Sequence, residues 1–240
     1  MRQLGLPGLT LATATQFDTF RAGPNATALA AAREVSVGGG ENIVFLHGPA
    51  GVGKTHLLKA AWRTAHERGT ASAYLSFDDA YMLDPDLIEG WGRLDFVALD
   101  ALERIAGYAA WERTLFRLLE ALRERGARCL AAGREPPDRL GLQLPDLASR
   151  LAWGPIYALV PLDEAELSAM AVDLARARGM ELPDAVARFL VHRLPRDPAT
   201  FADVMKQLDA AALAAQRRLT IPFVREVLFP SLSNEPHAGS

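Results

Sequence analysis

The sequence has little cysteine, no surplus of basic charge and no long apolar run. Its single cysteine, Cys129, excludes an internal disulfide and suits a reducing compartment. The formal net charge of −3 lacks the basic surplus that dedicated nucleic-acid binders usually carry. No stretch approaches the roughly 20 apolar residues of a transmembrane helix. Glycine and proline interrupt the faint signal-peptide outline of Leu4–Ala14. We therefore expect a cytoplasmic protein without a membrane partner.

A glycine-rich segment follows the apolar run Ile43–Leu46 and precedes a helical pattern over Lys54–Arg68. It matches the G-x-x-x-x-G-K-[ST] phosphate-binding loop, whose required context is a strand before it and a helix after it. The loop consists of Gly48, Pro49, Ala50, Gly51, Val52, Gly53, Lys54 and Thr55. Glycines let backbone N–H groups approach phosphate oxygens, and the start of the following helix favours negative charge. The segment predicts a site for a nucleoside di- or triphosphate, or descent from such a site.

Three side chains in this arrangement suit phosphate and metal chemistry. In such loops the lysine, here Lys54, reaches the β and γ phosphates, and the hydroxyl of Thr55 ligates Mg²⁺. The apolar run Phe96–Leu99 ends in Asp100, and an aspartate at this place can hold the same Mg²⁺. A strand-end aspartate can instead cap the helix that follows it. Beside an intact loop we favour Thr55 and Asp100 as metal ligands, with ADP or ATP and Mg²⁺ as cofactors.

Apolar segments alternate with helical patterns through the first two thirds of the chain. Strands are predicted at Ile43–Leu46, Ala73–Phe77, Phe96–Leu99, Arg128–Ala132 and Ile156–Leu159. Helices are predicted at Lys54–Arg68, Asp78–Glu89, Tyr108–Arg125 and Pro145–Leu151. This alternation is typical of a parallel sheet covered by helices on both faces.

Almost no strand is predicted after Pro161. Helices are predicted there at Asp163–Arg178, Asp184–Leu194 and Asp197–Arg218. Asp197 followed by Pro198 suits a helix start. The sequence therefore predicts an α/β P-loop nucleotide-binding domain with a parallel sheet at residues 13–160 and a small all-α lid at residues 161–230. Residues 1–12 are expected to form a flexible N-terminal peptide, and residues 231–240 a disordered tail.

Several stretches resemble the bacterial replication initiator DnaA, a member of the AAA+ superfamily. Phe17–Phe20 with Gly23–Asn25 is similar to the adenine-side entry of that family. Pro145–Gly154 resembles the segment that carries its arginine finger. The resemblance covers about residues 15–229 and stops before the helix-turn-helix DNA-binding domain of DnaA.

This resemblance implies roles for three side chains. Phe20 is expected to join the nucleotide site, and His56, which flanks the phosphate-binding loop, is expected there as well; packing beside the loop is the alternative role of His56. Arg150 is expected to act in trans, as an arginine finger in the site of a neighbouring protein. The alternative for Arg150 is an ordinary salt bridge or a helix-end contact within this chain.

A short AAA+ chain of this type resembles the Hda group of regulatory inactivators of DnaA. The stretches that support this likeness are Leu102–Gly107, Leu144–Arg150 and Leu219–Leu228. The N-terminal residues Gln3, Leu4, Leu6 and Pro7 are similar to the peptide by which proteins dock on the bacterial sliding clamp. The resemblance implies DnaA and the DNA polymerase III sliding clamp (beta subunit) as partners, with DNA reached only through the clamp. The oligomeric state stays open, a homo-oligomer included.

Some positions depart from the pattern of active AAA+ ATPases. Ala101 stands where a second acid usually positions the attacking water, and Glu103 lies two residues further on. Ala131 and Ala132 stand near the place of a polar residue that contacts the γ phosphate. Positioning and charge stabilisation carry most of phosphoryl-transfer catalysis. We therefore expect nucleotide binding with weak or no ATP hydrolysis by this chain itself.

Two candidate functions, from different classes of protein, fit these features of the sequence. The first is a negative regulator of chromosomal replication initiation, which binds nucleotide and the DNA-loaded clamp and stimulates hydrolysis of ATP on DnaA. The second is an autonomous P-loop ATPase of the helicase-loader type, favoured by the intact loop and disfavoured by Ala101 and the acidic charge balance. ATP turnover by the isolated protein distinguishes them.

Overall fold

The computed structural model describes residues 16–78 and 82–230, and within them the chain forms five strands and eight α-helices. The strands are β1 Ile43–His47, β2 Ser72–Ser76, β3 Phe96–Asp100, β4 Arg128–Gly133 and β5 Ile156–Ala158. The helices are α1 Ala26–Ser36, α2 Lys54–Glu67, α3 Ala109–Glu124, α4 Pro145–Leu151, α5 Glu164–Arg176, α6 Asp184–Val191, α7 Pro198–Ala215 and α8 Ile221–Leu228. No described helix is long and apolar enough to span a membrane.

The five strands form one sheet in the order β2-β3-β4-β1-β5, and each neighbouring pair is parallel. Parallel pairing puts the carboxyl ends of all strands at one edge of the sheet. The glycine-rich loop after β1 and Asp100 at the end of β3 therefore reach the same edge. The predicted fold, an α/β nucleotide-binding domain with a parallel sheet followed by an all-α lid, is confirmed.

Burial of the central strands explains their continuous apolar runs. All five residues of β3 are buried, and Phe45, Val97 and Leu99 join Leu115 and Leu119 of α3 in one core. A strand that packs helices on both faces has no solvent-facing side, so it needs no polar alternation.

The edge strand β5 depends on a glycine that precedes it. A Cβ atom at Gly154 would lie 1.8 Å from the Ile43 carbonyl oxygen, so no side chain fits there. The next residue, Pro155, accepts a hydrogen bond from the Phe45 amide at 3.0 Å. The close approach at Gly154 thus brings β5 into register beside β1.

The described residues form two compact units. The first holds residues 16–49 and 53–159, and the second holds residues 160–230 together with Ala50–Val52. Helices α5 to α8 of the second unit share a core that includes Leu167, Leu190, Phe201 and Val224. Asp163 and Glu166 form a capping box at the start of α5.

The first turn of α7 also has the predicted chemistry. The Asp197 carboxylate accepts a hydrogen bond from the Ala199 amide at 3.1 Å, and Pro198 occupies the first turn. A proline is tolerated there because its missing N–H would have no partner within the helix.

One predicted helix is wrong, and two observed helices were not predicted. The helix expected over Asp78–Glu89 is replaced, in its described part, by a short 3₁₀ turn at Pro85–Ile88, because Asp84 caps that turn and Pro85 starts it. Helix α1 was not predicted, since its alanine-rich sequence has little apolar contrast. Helix α8 was also missed, although Thr220 caps its start by accepting from the Phe223 amide at 3.4 Å.

Candidate nucleotide-binding site

The glycine-rich loop connects β1 to α2 through backbone conformations that few side chains tolerate. Gly51 and Gly53 have φ angles of +77° and +105°, in the region that glycine enters without steric cost. At Gly53 an added Cβ would also lie 2.6 Å from the Phe20 ring. Both constraints make glycine necessary where the loop enters the helix, and the loop has the geometry that its sequence predicts.

Lys54 is held at the mouth of this loop. Its ammonium donates to the carbonyl oxygens of Gly48 at 2.6 Å and Pro49 at 2.9 Å, and the residue is only 9% exposed. Burial lowers the pKa of Lys54, and the nearby charges of Glu103 and Asp100 partly offset this. Within the described residues Lys54 forms no ion pair, so its charge is available to an anionic phosphate.

Asp100 is a buried carboxylate that accepts hydrogen bonds at both oxygens. One oxygen accepts from the Ala101 amide at 2.9 Å, and the other accepts from the Tyr74 hydroxyl at 3.0 Å. The nearby Thr55 hydroxyl also favours the charged form of Asp100. Burial raises the pKa of Asp100, while Thr55, Tyr74 and the Ala101 amide oppose the rise. The structure therefore brings together the two predicted metal ligands.

This pair of oxygen donors fits Mg²⁺ that is held together with phosphate. Mg²⁺ usually takes one or two carboxylates and completes its shell with water and substrate phosphate oxygens. Across residues 16–78 and 82–230 no group of three or more His, Cys, Asp or Glu side chains could hold a metal alone. Thr55 and Asp100 thus suit a cation that arrives with a nucleotide.

His56 and Phe20 lie together beside the first turn of α2. The His56 Nε2 atom is 2.8 Å from the Gln16 carbonyl oxygen and 3.3 Å from the Thr19 hydroxyl. The rings of His56 and Phe20 have centroids 5.6 Å apart. Burial lowers the pKa of His56, which keeps the ring neutral near pH 7. The segment that carries Phe20 is thus fixed against the loop helix.

The positions that depart from active ATPases have clear structural roles. Ala101 is buried with φ at +59°, an uncommon conformation for a residue with a side chain. The Glu103 carboxylate accepts from the Arg134 amide at 3.1 Å and pairs with the Arg134 guanidinium at 3.3 Å. The Glu103 charge raises the pKa of Lys54, yet the Glu103 carboxylate itself is bound to Arg134.

Two residues near this site were not predicted from the sequence. Tyr74 lies on β2, and its link to Asp100 depends on the pairing of β2 with β3. Arg134 follows β4, and its carbonyl oxygen accepts from the Gly48 amide at 3.2 Å. The neighbouring Ala131 and Ala132 are fully buried in β4 and offer no polar side chain to the loop.

Arg150 lies on α4 in an intrachain cluster. Its guanidinium pairs with the Glu120 carboxylate and lies 4.3 Å from the Trp153 ring centroid and 5.1 Å from that of Phe116. The Arg150 side chain is 25% exposed. The salt bridge considered as an alternative role is thus present in this chain. The predicted clamp-binding residues Gln3, Leu4, Leu6 and Pro7 lie outside the described residues.

Several solved structures share the fold of this chain. Domain III of DnaA from Thermotoga maritima has a TM-score of 0.78 and 23% identity, covering 89% of this chain and 95% of its own. DnaA from Aquifex aeolicus bound to AMPPCP has a TM-score of 0.73 and 23% identity, covering 85% of this chain and 67% of its own. A RuvB variant from Thermotoga maritima has a TM-score of 0.68 and 20% identity, covering 89% and 71%. At these identities the likeness establishes the fold alone.

Two family models match complementary parts of the sequence. The bacterial DnaA ATPase domain matches residues 11–84, which include the phosphate-binding loop. The lid domain of Hda matches residues 163–228, which include α5 to α8. The second match separates this chain from a general DnaA-like ATPase, because it concerns the helical unit rather than the widespread loop. The chain is thus similar to bacterial DnaA around the phosphate-binding loop and to Hda in the lid, which supports an Hda-type, DnaA-related protein.

Proposed function

We propose that this protein acts in the cytoplasm as a negative regulator of chromosomal replication initiation. It binds a nucleotide, docks on the DNA-loaded sliding clamp, and stimulates hydrolysis of the ATP bound to DnaA. The observation that carries this proposal is the presence, in one chain, of a DnaA-type ATPase match and an Hda-type lid match. DnaA left with ADP would then be unable to restart initiation within the same cell cycle.

The proposed nucleotide is ADP or ATP, held by the loop from Gly48 to Thr55. The buried ammonium of Lys54, bonded only to loop carbonyls among the described residues, supports a phosphate contact. Phe20 and His56 are proposed to border the adenosine side. Mg²⁺, when bound with the nucleotide, supplies charge neutralisation between phosphate oxygens, and Thr55 and Asp100 would hold it. The AMPPCP-bound DnaA structure supports the same ligand class for this fold.

We propose that the protein's own hydrolysis is weak. Ala101 offers no acid beside Asp100, and Glu103, the next carboxylate along the chain, is bound to Arg134. A water molecule attacking a phosphoryl group needs a group that orients it. The bound nucleotide therefore serves mainly to stabilise the folded protein and its partner surface.

Arg150 is the proposed link to the chemistry on DnaA. An arginine supplied in trans neutralises charge that develops on the transferred phosphoryl group, and it contributes on the order of 10³–10⁵ in rate. Its planar fork matches phosphoryl oxygens in a way that a lysine ammonium does not. The side chain is partly exposed in this chain, as such a role requires.

Phosphate release from ATP-loaded DnaA, with the clamp on DNA, tests this function. We expect the wild-type protein to stimulate release, and Arg150→Ala and Arg150→Lys to lose nearly all of that stimulation. Arg113→Ala, which removes an exposed arginine of α3, is the matched control and should stimulate normally. Wild-type stimulation by Arg150→Ala would reject the finger, and no stimulation by the wild type would reject the function.

Clamp docking has its own test. We expect the double substitution Gln3→Ala with Leu6→Ala to abolish binding to the clamp, because it removes a hydrogen-bonding side chain and an apolar anchor. The melting temperature should stay within about 1 °C, since surface substitutions outside a core change stability little. Undiminished clamp binding by the double variant would reject these residues as the docking peptide.

A further inference from the structure

One face of α3 contacts α4 and the residues on either side of it. The face consists of Glu112, Phe116, Glu120 and Arg123, spaced by four, four and three residues. Positions at this spacing lie above one another on a helix. Phe116 and Glu120 contact Arg150, and the Arg123 guanidinium lies 4.0 Å from the Trp153 ring centroid. This face of α3 thus contacts Arg150 on α4 and Trp153 just after it.

Glu112 fixes the beginning of α4. Its carboxylate is 1% exposed and accepts hydrogen bonds from the amides of Gly107 at 2.8 Å, Gln143 at 3.1 Å and Leu144 at 2.7 Å. Leu144 is the N-cap residue of α4. A buried carboxylate with three backbone donors is a rigid connection. The backbone of α4 is therefore anchored independently of the Arg150 side chain.

Glu120 holds the Arg150 guanidinium by one nitrogen. The hydrogen bond uses Nε of Arg150, and the rings of Phe116 and Trp153 lie within 5.1 Å of the guanidinium carbon. To the rest of the described chain, Nη1 and Nη2 of Arg150 make no hydrogen bond. These two terminal nitrogens are the ones that can contact two phosphoryl oxygens at once.

From this arrangement we infer that Glu120 is a positioning residue for Arg150. It accepts from Nε, the rings of Phe116 and Trp153 lie beside the guanidinium, and the terminal nitrogens stay available to a phosphoryl group on another protein. This inference rests on the proposed function, because it takes a nucleotide bound to a partner as the target of Arg150. A long side chain that is already ordered loses less entropy when it docks. Loss of the Glu120–Arg150 hydrogen bond should therefore lower the stimulation of ATP hydrolysis on DnaA by roughly 2- to 10-fold. Removal of Arg150 itself should cause a larger loss.

The first part of the test uses the isolated protein. The ¹H–¹⁵N NMR signal of the Arg150 Nε–H group reports its hydrogen bond to Glu120 directly. The signal is identified by its absence in Arg150→Lys. We expect slow solvent exchange of this proton in the wild type and fast exchange in Glu120→Ala. Glu120→Gln keeps a carbonyl acceptor and should keep much of the protection. Glu124→Ala, which removes an exposed carboxylate one turn further along α3, is the control and should leave the signal unchanged. An unprotected wild-type signal would overturn the inference.

The second part measures phosphate release from ATP-loaded DnaA with the same variants. We expect Glu120→Ala to lose roughly 2- to 10-fold and Glu120→Gln to recover most of that loss. If Glu120→Ala matches the wild type while Arg150→Ala is inactive, the positioning role is wrong and the proposed function stands. If Glu120→Ala stimulates more than the wild type, Glu120 restrains Arg150 and the inference is overturned. Equal rates with and without the wild-type protein would instead reject the proposed function.

Discussion

The phosphate-binding loop and the Arg150 cluster are built in different ways. The loop site uses backbone carbonyls and buried side chains, with Lys54 at 9% and Asp100 at 2% exposure. The Arg150 cluster uses side chains of two helices, and its central ion pair is 25% and 36% exposed. The first arrangement suits a ligand enclosed by this chain, and the second suits a target on another molecule.

The two regions also differ in how far their parts are separated along the sequence. Eight consecutive residues form the loop, so a short motif identifies it. The Arg150 cluster joins α3 to α4 across about 30 residues, and packing alone brings Glu120 to Arg150. A site built from consecutive residues is therefore visible in sequence patterns, while a site made by packed helices is visible only in the structure.

The largest effect at the loop is expected from Lys54→Ala. Because this change removes the buried ammonium, nucleotide affinity should fall by about 100-fold, the size expected for losing charge-assisted hydrogen bonds. Most of the thermal stabilisation by ADP or ATP should disappear with it. Thermal melts with increasing nucleotide measure this, and Lys59→Ala, at an exposed position of α2, is the control. A full nucleotide-induced shift in Lys54→Ala would mean that the loop no longer serves binding.

A smaller effect is expected from Tyr74→Phe. The hydroxyl of Tyr74 stabilises the charged form of Asp100, so its removal should raise the pKa of Asp100 further. Mg²⁺-dependent nucleotide affinity should fall by roughly 3- to 10-fold, and binding without Mg²⁺ should change little. Calorimetric titrations with Mg²⁺ or EDTA test this, with Tyr157→Phe as control. Equal losses with and without Mg²⁺ would contradict a metal role for Asp100.

The pH dependence of the free energy of unfolding tests whether His56, beside the phosphate-binding loop, is buried. Because burial depresses the pKa of His56, its stabilising contribution is fully present above pH 6.5 and is lost as the pH falls through the folded-state pKa. His56→Gln has no such charge. The wild-type protein should therefore lose unfolding free energy relative to His56→Gln only below pH 6.5. Urea melts from pH 7.5 to 5 measure the difference, with His192→Gln as the lid control. A parallel pH dependence in both proteins would show that His56 is not enclosed.

The smallest expected effect concerns backbone strain beside Asp100. Ala101 has a φ of +59°, which costs a residue with a Cβ on the order of 1 kcal/mol relative to glycine. Ala101→Gly should raise the free energy of unfolding by about 0.5–1 kcal/mol. Ala106→Gly, where φ is −58°, should lower it. Denaturant melts decide this, and destabilisation by Ala101→Gly would show that Ala101 is not strained.

The fold and the loop were predictable because their signals are local. The strands of the sheet are apolar runs, and α4 begins and ends where its sequence predicts, at Pro145 and Leu151. Helix α1 was not predictable from apolar periodicity, because alanine occurs at both its buried and its exposed positions. The contacts of Asp100 with Tyr74 and of Arg150 with Glu120 depend on strand order and helix packing, which no motif in the sequence encodes.

Regulation of DnaA, rather than hydrolysis by this protein itself, is tested by comparing ATP turnover by the isolated protein with turnover in a mixture that also contains ATP-loaded DnaA and the clamp on DNA. We predict that the isolated protein hydrolyses ATP at a rate at least about 10³-fold below the stimulated rate of the mixture, the contribution expected from an arginine supplied in trans. Turnover by the isolated protein that equals turnover in the mixture would contradict this, and would identify the chain as an autonomous ATPase.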